Sequence, residues 1–447
     1  MEDRAERVNR WSRRSLLQAG SILATAGLLA CARRSAPVHT VSGPPVSLEF
    51  WLPGRAGDEV PLEPFHTEFV TETPSVTVVQ TQLVAKRDVM PKLTTAVVAG
   101  TAPDVVRLKE YQVTDLAALQ DLLPLGSRVS QDPAVNLRDF TPQSIRGSHF
   151  QRQLVGLPDS HQLVVLFWNK NLLARAGLDP EAPPVTWEAL RTAAQKVRTQ
   201  TETRTVVLPW GFQFYEMSTR EQAYAWFIEW VWRAGGDVWD ANRTRVTLDQ
   251  PAALAALQFQ ADLLHADRTA VRPGTPVAEL ISNVPQGRVG LWMTTAPQAL
   301  VYSRTAPDLD FGFGHMPRQR QAATQLQHNS LAVLRGTRNP DQAYQLVSYR
   351  SRADIQLRWS AEGAWVPVRP ALWQEPPFRD DWRWRTIGDL VRHPGNRPKP
   401  TVPQWEAVTG KITPHLLTAW RGEVTPAEAL RAATREANAL LNSRSGR

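Results

Sequence analysis

Between Val46 and Leu108 the chain changes hydrophobic period four times, and that alternation constrains its fold more than any other feature. "VSLEFW" (46–51) sends Val46, Leu48 and Phe50 to one side, as a half-buried strand does. Helical sequence follows to about Thr71. Then come a strand, "VTVVQTQLV" (76–84), a helix over 88–99 and a short apolar strand, "PDVVRL" (103–108). A β-α-β-α-β order needs crossover connections, so it predicts a mainly parallel sheet flanked by helices.

A second unit of the same α/β class begins near Leu154. "LVVLFWN" (163–169) is an unbroken apolar run, the pattern of a strand buried on both faces. Thr186 precedes "WEALRTAAQKV", which places Trp187, Leu190, Ala194 and Val197 on one helical face. Asp249 is expected to cap "QPAALAALQFQADLL", and Thr425-Pro426-Ala427-Glu428 spells a capping box with proline at the first helical position. A length of 447 residues accommodates two or three domain-sized units.

The only cysteine, Cys31, follows an address rather than a fold. Arg4, Arg7, Arg10, Arg13 and Arg14 precede an apolar stretch, Leu16 to Ala30, too short and too rich in Gly, Ala and Gln to span a bilayer well. Ser12-Arg13-Arg14 resembles a twin-arginine export signal, and Leu28-Leu29-Ala30-Cys31 resembles a bacterial lipobox. The expectation is a signal peptide over 1–30 and an acylated Cys31 as membrane anchor. Residues 31–45, with "RSAPVHTVSGPP", would then be a tether. With no cysteine after position 31, disulfides and thiolate metal sites are excluded from the rest of the chain.

The formal charge of +8 falls to +6 without residues 1–30, which carry five Arg and three acids. The basic residues form no run or helical stripe, so no nucleic-acid surface is expected. No HExxH, CxxC, EF-hand, Walker, GxGxxG or GxSxG pattern occurs, so no catalytic residue, metal or cofactor is assigned. The 17 Trp beside 6 Tyr stand out instead. Trp187, Trp359 and Trp420 read as core, and Trp226 and Trp230, one helical turn apart, as packing. Ligands of open α/β sheets bind beyond the carboxyl ends of strands, where an indole offers a sugar ring an apolar platform. Trp51, Trp168 and Trp210 stand where the chain leaves a strand, with Trp292 and Trp365 in similar contexts.

The stretches "LTTAVVAGTAPDVVRL" (93–108), "GLPDSHQLVVLFWNKNLLARAGLDPEAPPVTWEAL" (156–190), "RAGGDVWD", "TLDQPAALAALQF", "GRVGLWM" and "RNPDQAYQLVSYRSRADIQ" occur in that order. Over about residues 46–441 the chain therefore resembles the family 1 extracellular solute-binding proteins of bacterial ABC transporters, which include maltodextrin-binding proteins. The resemblance implies a periplasmic-binding-protein-like fold of type II, with two α/β lobes, a cleft between them and crossings near 156–160, 310–316 and 362–366. Lobe 1 would comprise 46–158 and 315–364, and lobe 2 would comprise 159–314 and 365–447. It also implies hinge closure on a carbohydrate and delivery to membrane permease subunits by a monomer that is not an enzyme.

Within that frame Trp168, before Asn169-Lys170, takes the place of the family's sugar-contacting Tyr. Trp51, Trp210, Trp292 and Trp365 are its expected cleft partners, with Glu110 and Asp237 as polar candidates. The polar His328-Asn329-Ser330 departs from the glycines many members carry there. Other readings are a receptor for another polar solute such as a glycerol phosphoester, a sensory receptor, or an extracellular carbohydrate-active enzyme.

Overall fold

The computed structural model describes residues 44–54, 62–85, 88–200, 209–214, 220–400, 402 and 405–445. The signal segment, Cys31 and nearly all of the expected tether lie outside them. Among the described residues, thirteen strands follow one another. They are β1 (Val46–Pro53), β2 (Val76–Val84), β3 (Val105–Lys109), β4 (His149–Phe150), β5 (Gln153–Leu154), β6 (Leu157–Gln162) and β7 (Val164–Asn169). Then come β8 (Trp210–Gln213), β9 (Val289–Thr295), β10 (Phe311–Gly314), β11 (Thr324–Gln325), β12 (Gln327–Val333) and β13 (Asn396–Arg397).

Two sheets organise the molecule. One has the order β2-β1-β3-β12-β6, the other β10-β7-β9-β8. Both are covered on both faces, which explains the two kinds of apolar pattern. In β1, Leu48, Phe50 and Leu52 enter one core while Trp51 enters the core on the opposite face. In β7, Val164, Leu166 and Trp168 join one core and Val165 and Phe167 the other, so the strand is apolar throughout.

Strand direction differs from the expectation of mainly parallel sheets. β2-β1-β3 is parallel, as the βαβ rule requires, and so is β8-β9. β12 runs antiparallel to β3 and β6, and β7 runs antiparallel to β9 and β10. The physical reason is the chain path: β7 and β12 are the strands by which the chain enters one sheet directly from the other, with no crossover helix to reverse it.

The first passage between sheets is at Leu163, so residues 159–162, expected in lobe 2, belong to β6 in the five-stranded sheet. Residues 315–323, expected in lobe 1, pack instead with the other body. Met316 and Ala323 are buried in its core, and Trp187 Nε1 donates to Pro317 O at 3.1 Å. A third passage lies at 364–368, where His161 N donates to Val366 O at 2.8 Å.

Local signals are mostly realised. Helix Trp187–Gln200 is capped by Thr186, whose Oγ1 accepts from Ala189 N at 3.1 Å. Helix Pro426–Ser445 shows the reciprocal box: Thr425 N donates to Glu428 Oε2 at 3.0 Å and Glu428 N to Thr425 Oγ1 at 3.3 Å. Asp249 does not cap the helix Pro251–Ala261, because Gln250 occupies the N-cap and makes no side-chain cap. Among the described residues no helix is long and apolar enough to cross a membrane.

Candidate functional site

The five expected cleft tryptophans are packed into the lobes rather than gathered at one site. Trp168 is 6% exposed and its Nε1 donates to Pro180 O at 2.8 Å. Its ring lies over Gly312, where a Cβ would come within 2.3 Å of it. The register explains this packing. Val164 pairs with Thr295 beside the passage at Leu163, whereas Trp168 pairs with Leu291, at the far end of β7. Because β7 runs outward from the hinge, its carboxyl end points away from the other lobe.

Trp51 is core, with Nε1 donating to Glu49 Oε1 at 2.6 Å. Trp292 is buried, stacked on Phe167 at 5.5 Å. Trp210 opens β8 at its amino end, half-buried under the Arg198 guanidinium at 4.5 Å. Trp365 lies in the third passage between the Arg107 guanidinium, 4.0 Å from its ring, and Trp359, stacked at 5.6 Å.

Glu110 and Asp237 converge on one connection, residues 396–399. Glu110 begins the helix that follows β3, at the carboxyl end of that strand, and is 1% exposed. Its Oε1 accepts from Lys399 N at 3.0 Å and its Oε2 lies 2.9 Å from His328 Nδ1. Gly147 allows this pairing, since a Cβ there would stand 1.8 Å from His328 Cε1. Asp237 is exposed at the rim. It accepts from Trp232 Nε1 at 3.1 Å and lies 3.8 Å from the Arg397 guanidinium.

Around Glu110 stand residues that sequence reasoning missed. Tyr111 reaches from the five-stranded lobe into a core whose other members lie in 164–323 and 402–437. There it meets Trp405, ring centroids 6.1 Å apart, and Trp405 in turn stacks on Tyr224 at 5.3 Å. The Lys399 ammonium lies 3.6 Å from the Tyr111 centroid and 4.2 Å from that of Trp405. Two ring faces offset part of the cost of burying that cation. Tyr111 Oη and Trp405 Nε1 are buried and have no hydrogen-bond partner among the described residues, whereas Tyr224 Oη is met by the Trp239 side chain.

One signal could have found part of this group: Tyr111 follows Glu110 at the same strand end. Lys399 is also one of only seven Lys in an arginine-rich chain, set between two prolines. Trp405 carried no signal of its own.

The second lobe-1 network is apolar-walled and ionic. Arg107 Nε lies 2.6 Å from Asp159 Oδ2, Arg107 Nη2 donates to Ser160 Oγ at 2.5 Å, and Arg350 Nη2 is 3.6 Å from Asp159 Oδ1. Burial pushes Arg350 down to about 10 despite Asp159. A groove of about 670 Å³ between helix Glu63–Glu72 and β2 is lined by one lobe alone, including His66, Val70, Val79 and Leu83, and does not reach Glu110.

Two buried histidines make acid stability predictable. Burial pushes His66 down to about 4 and His161 to about 3, helped by Arg350 and His328 respectively. Both are neutral in the folded protein at pH 6.5 and would protonate on unfolding. Depressed folded values give stability that is full above 6.5 and is lost as pH falls toward 4 and below. His66 alone accounts for roughly 3 kcal/mol over that window. Urea midpoints should fall steadily from pH 6.5 to 4, and less steeply in a His66→Gln variant.

The geometry defines a class first: a two-lobe α/β protein whose lobes meet through a buried aromatic and polar contact. The family model for the bacterial extracellular solute-binding protein matches residues 62–356, 295 of 447 positions, and the chain belongs to that family. It is 22% identical over 285 residues to a probable amino-acid ABC transporter periplasmic-binding protein of Sinorhizobium fredii, covering 61% of this chain and 63% of that one. The chain thus spans about three-fifths of the length of that curated relative. It is 23% identical to the sn-glycerol-3-phosphate-binding periplasmic protein UgpB of Pectobacterium atrosepticum, over 77% of this chain and 79% of the other. Among solved structures, the GacH receptor of Streptomyces glaucescens superposes with a TM-score of 0.78 at 22% identity, covering 90% of this chain and 99% of that one. That likeness establishes the two-lobe fold.

Proposed function

We propose that this protein is an extracytoplasmic solute-binding lipoprotein that captures a carbohydrate between its lobes and delivers it to the permease of an ABC importer. The carrying observation is the buried contact between the lobes around Glu110. Two buried aromatic residues, Tyr111 and Trp405, present Oη and Nε1 groups that no described residue satisfies, near the Glu110 carboxylate. Buried polar atoms without partners are costly, and a polyhydroxylated ligand supplies both the hydrogen bonds and an apolar ring face. The related GacH receptor has been solved in complex with acarbose, which supports the same ligand class. The lobes we assign are 46–162 with 327–363, and 164–323 with the segment from about 369 onward. A thermal-shift screen against mono- and oligosaccharides tests the reading. A ligand at a hundred times its Kd should add about 2.7 kcal/mol, and silence across the panel would overturn it.

A glycerol phosphoester is the second reading. It is favoured by the buried Lys399 and the His328 imidazole at the crevice, together with the UgpB relative. Adding sn-glycerol 3-phosphate to the same screen separates the two ligands.

The anchor belongs to the same proposal. Cys31 would carry the acyl chains and hold the receptor beside its permease at the outer face of the cytoplasmic membrane. Cys31→Ala should move the protein from the membrane to the soluble fraction with ligand affinity unchanged. Retention after salt and carbonate washing would rule out the lipid anchor.

A further inference from the structure

We infer that β2 is a docking edge for an extended segment of a partner protein. The segment adds a strand beside β2 and drops alternate apolar or β-branched side chains into the groove along helix Glu63–Glu72. A basic residue of the segment meets Glu63.

β2 closes one side of the five-stranded sheet, with β1 as its strand neighbour. Its nine residues, "VTVVQTQLV", include no charge and no proline, and Val78 and Leu83 are 42% and 37% exposed. The other edges of the two main sheets are guarded. β6 carries Pro158 and is bridged at His161 by Val366. β8 is four residues long and bridged at Phe212 by Ala270, and β10 is also four residues long. No described residue pairs with the outer side of β2. A long, uncharged edge left open is a template for another strand.

The groove of about 670 Å³ follows this edge. Thr77, Val79, Thr81 and Leu83 line it at alternate positions, so an added strand presents its own alternate side chains to the same space. His66 lines it too, only 7% exposed, with Nδ1 3.3 Å from Thr81 Oγ1 and Nε2 lacking a hydrogen-bond partner among the described residues.

Glu63 supplies the groove's carboxylate. Glu68 and Glu72 of the same helix pair with Arg358 at 2.8 Å and Arg352 at 2.5 Å. Glu63 has no ion-pair partner among the described residues, so the groove favours a basic residue in its occupant.

Area separates a peptide from a second copy of this chain. A stable dimer buries about 800 Å² per partner over roughly 20–30 residues a side, whereas twelve residues line this groove. That footprint suits one extended segment. Seven residues of strand span about 23 Å, within the length of the nine-residue β2.

The test titrates the full chain with the synthetic peptide Lys-Thr-Val-Thr-Val-Thr-Val, followed by calorimetry and by backbone amide shifts. The peptide should bind, and the shifts should centre on 76–84. The same peptide N-methylated throughout keeps its side chains but loses its amide donors, and should bind about tenfold more weakly or worse. Glu63→Lys should keep the wild-type melting temperature, weaken the lysine peptide about three- to tenfold, and prefer a peptide that begins with Glu instead.

No binding, equal binding of the N-methylated form, or shifts centred elsewhere overturns the docking edge. Unchanged preference in Glu63→Lys overturns the basic residue. A dimer that forms without peptide and is abolished by Leu83→Lys assigns the edge to a second copy and overturns the peptide occupant.

Discussion

Asp159→Asn is expected to destabilise the fold by about 3–5 kcal/mol, the range found when one member of a buried ion pair is removed. Asp159 is the single anion between two guanidinium groups, and the exposures are 4%, 1% and 3% for Arg107, Asp159 and Arg350. Arg350 Nε and Nη1 already lack hydrogen-bond partners among the described residues. Its charge is tolerated because Trp359 offers a ring face at 3.9 Å and Asp159 lies 3.6 Å away. Asparagine keeps the shape and removes the charge, leaving two buried cations with no anion, only aromatic faces and the Ser160 hydroxyl, to answer them. The loss should appear in the urea midpoint, and adding Arg350→Met should recover part of it by removing one stranded cation. A double variant less stable than Asp159→Asn would mean that Arg350 contributes through packing rather than through charge balance.

That network also illustrates what a sequence conceals. Arg107 and Asp159 are 52 residues apart, and Arg350 comes from a helix almost two hundred residues further on. Nothing in the spacing links them, because β12 inserts between β3 and β6 and so brings late sequence into the middle of an early sheet. Local signals fared differently. β2 was legible residue by residue, and the caps at Thr186 and Thr425 were read from side chains that satisfy backbone donors within three residues. The distinction is range: periods and caps are short-range physics, whereas strand order and strand direction are set by the path between lobes.

The site divides along the same line. Glu110 was read only as a polar candidate, and it stands at the carboxyl end of β3, where ligands of open α/β sheets bind. At Trp168 the rule has less purchase, because β7 pairs antiparallel with both its neighbours and is not a βαβ strand. Trp405 was out of reach, since only the fold brings a helix near the end of the chain onto the helix after β3.

Those two positions give the last prediction, a reciprocal pair of variants. Tyr111→Leu keeps an apolar side chain in the core but removes the ring face and the hydroxyl at the crevice. Losing an aromatic platform costs about 1–3 kcal/mol, by analogy with stacking on other planar rings, hence roughly ten- to a hundredfold in affinity for the carbohydrate found by the screen. Its melting temperature should change little, because leucine still fills the space. Trp168→Ala should behave in the opposite way. It empties a packed position over Gly312 and strands the Pro180 carbonyl, which places it among the aromatic truncations that cost about 3–5 kcal/mol. Its affinity, measured at a temperature where the variant is folded, should match wild type. Calorimetric titration and urea unfolding on both variants decide the matter. If Trp168→Ala lost affinity and kept stability while Tyr111→Leu did the reverse, the ligand would sit at the outer end of β7 and the crevice at Glu110 would be only a lobe contact.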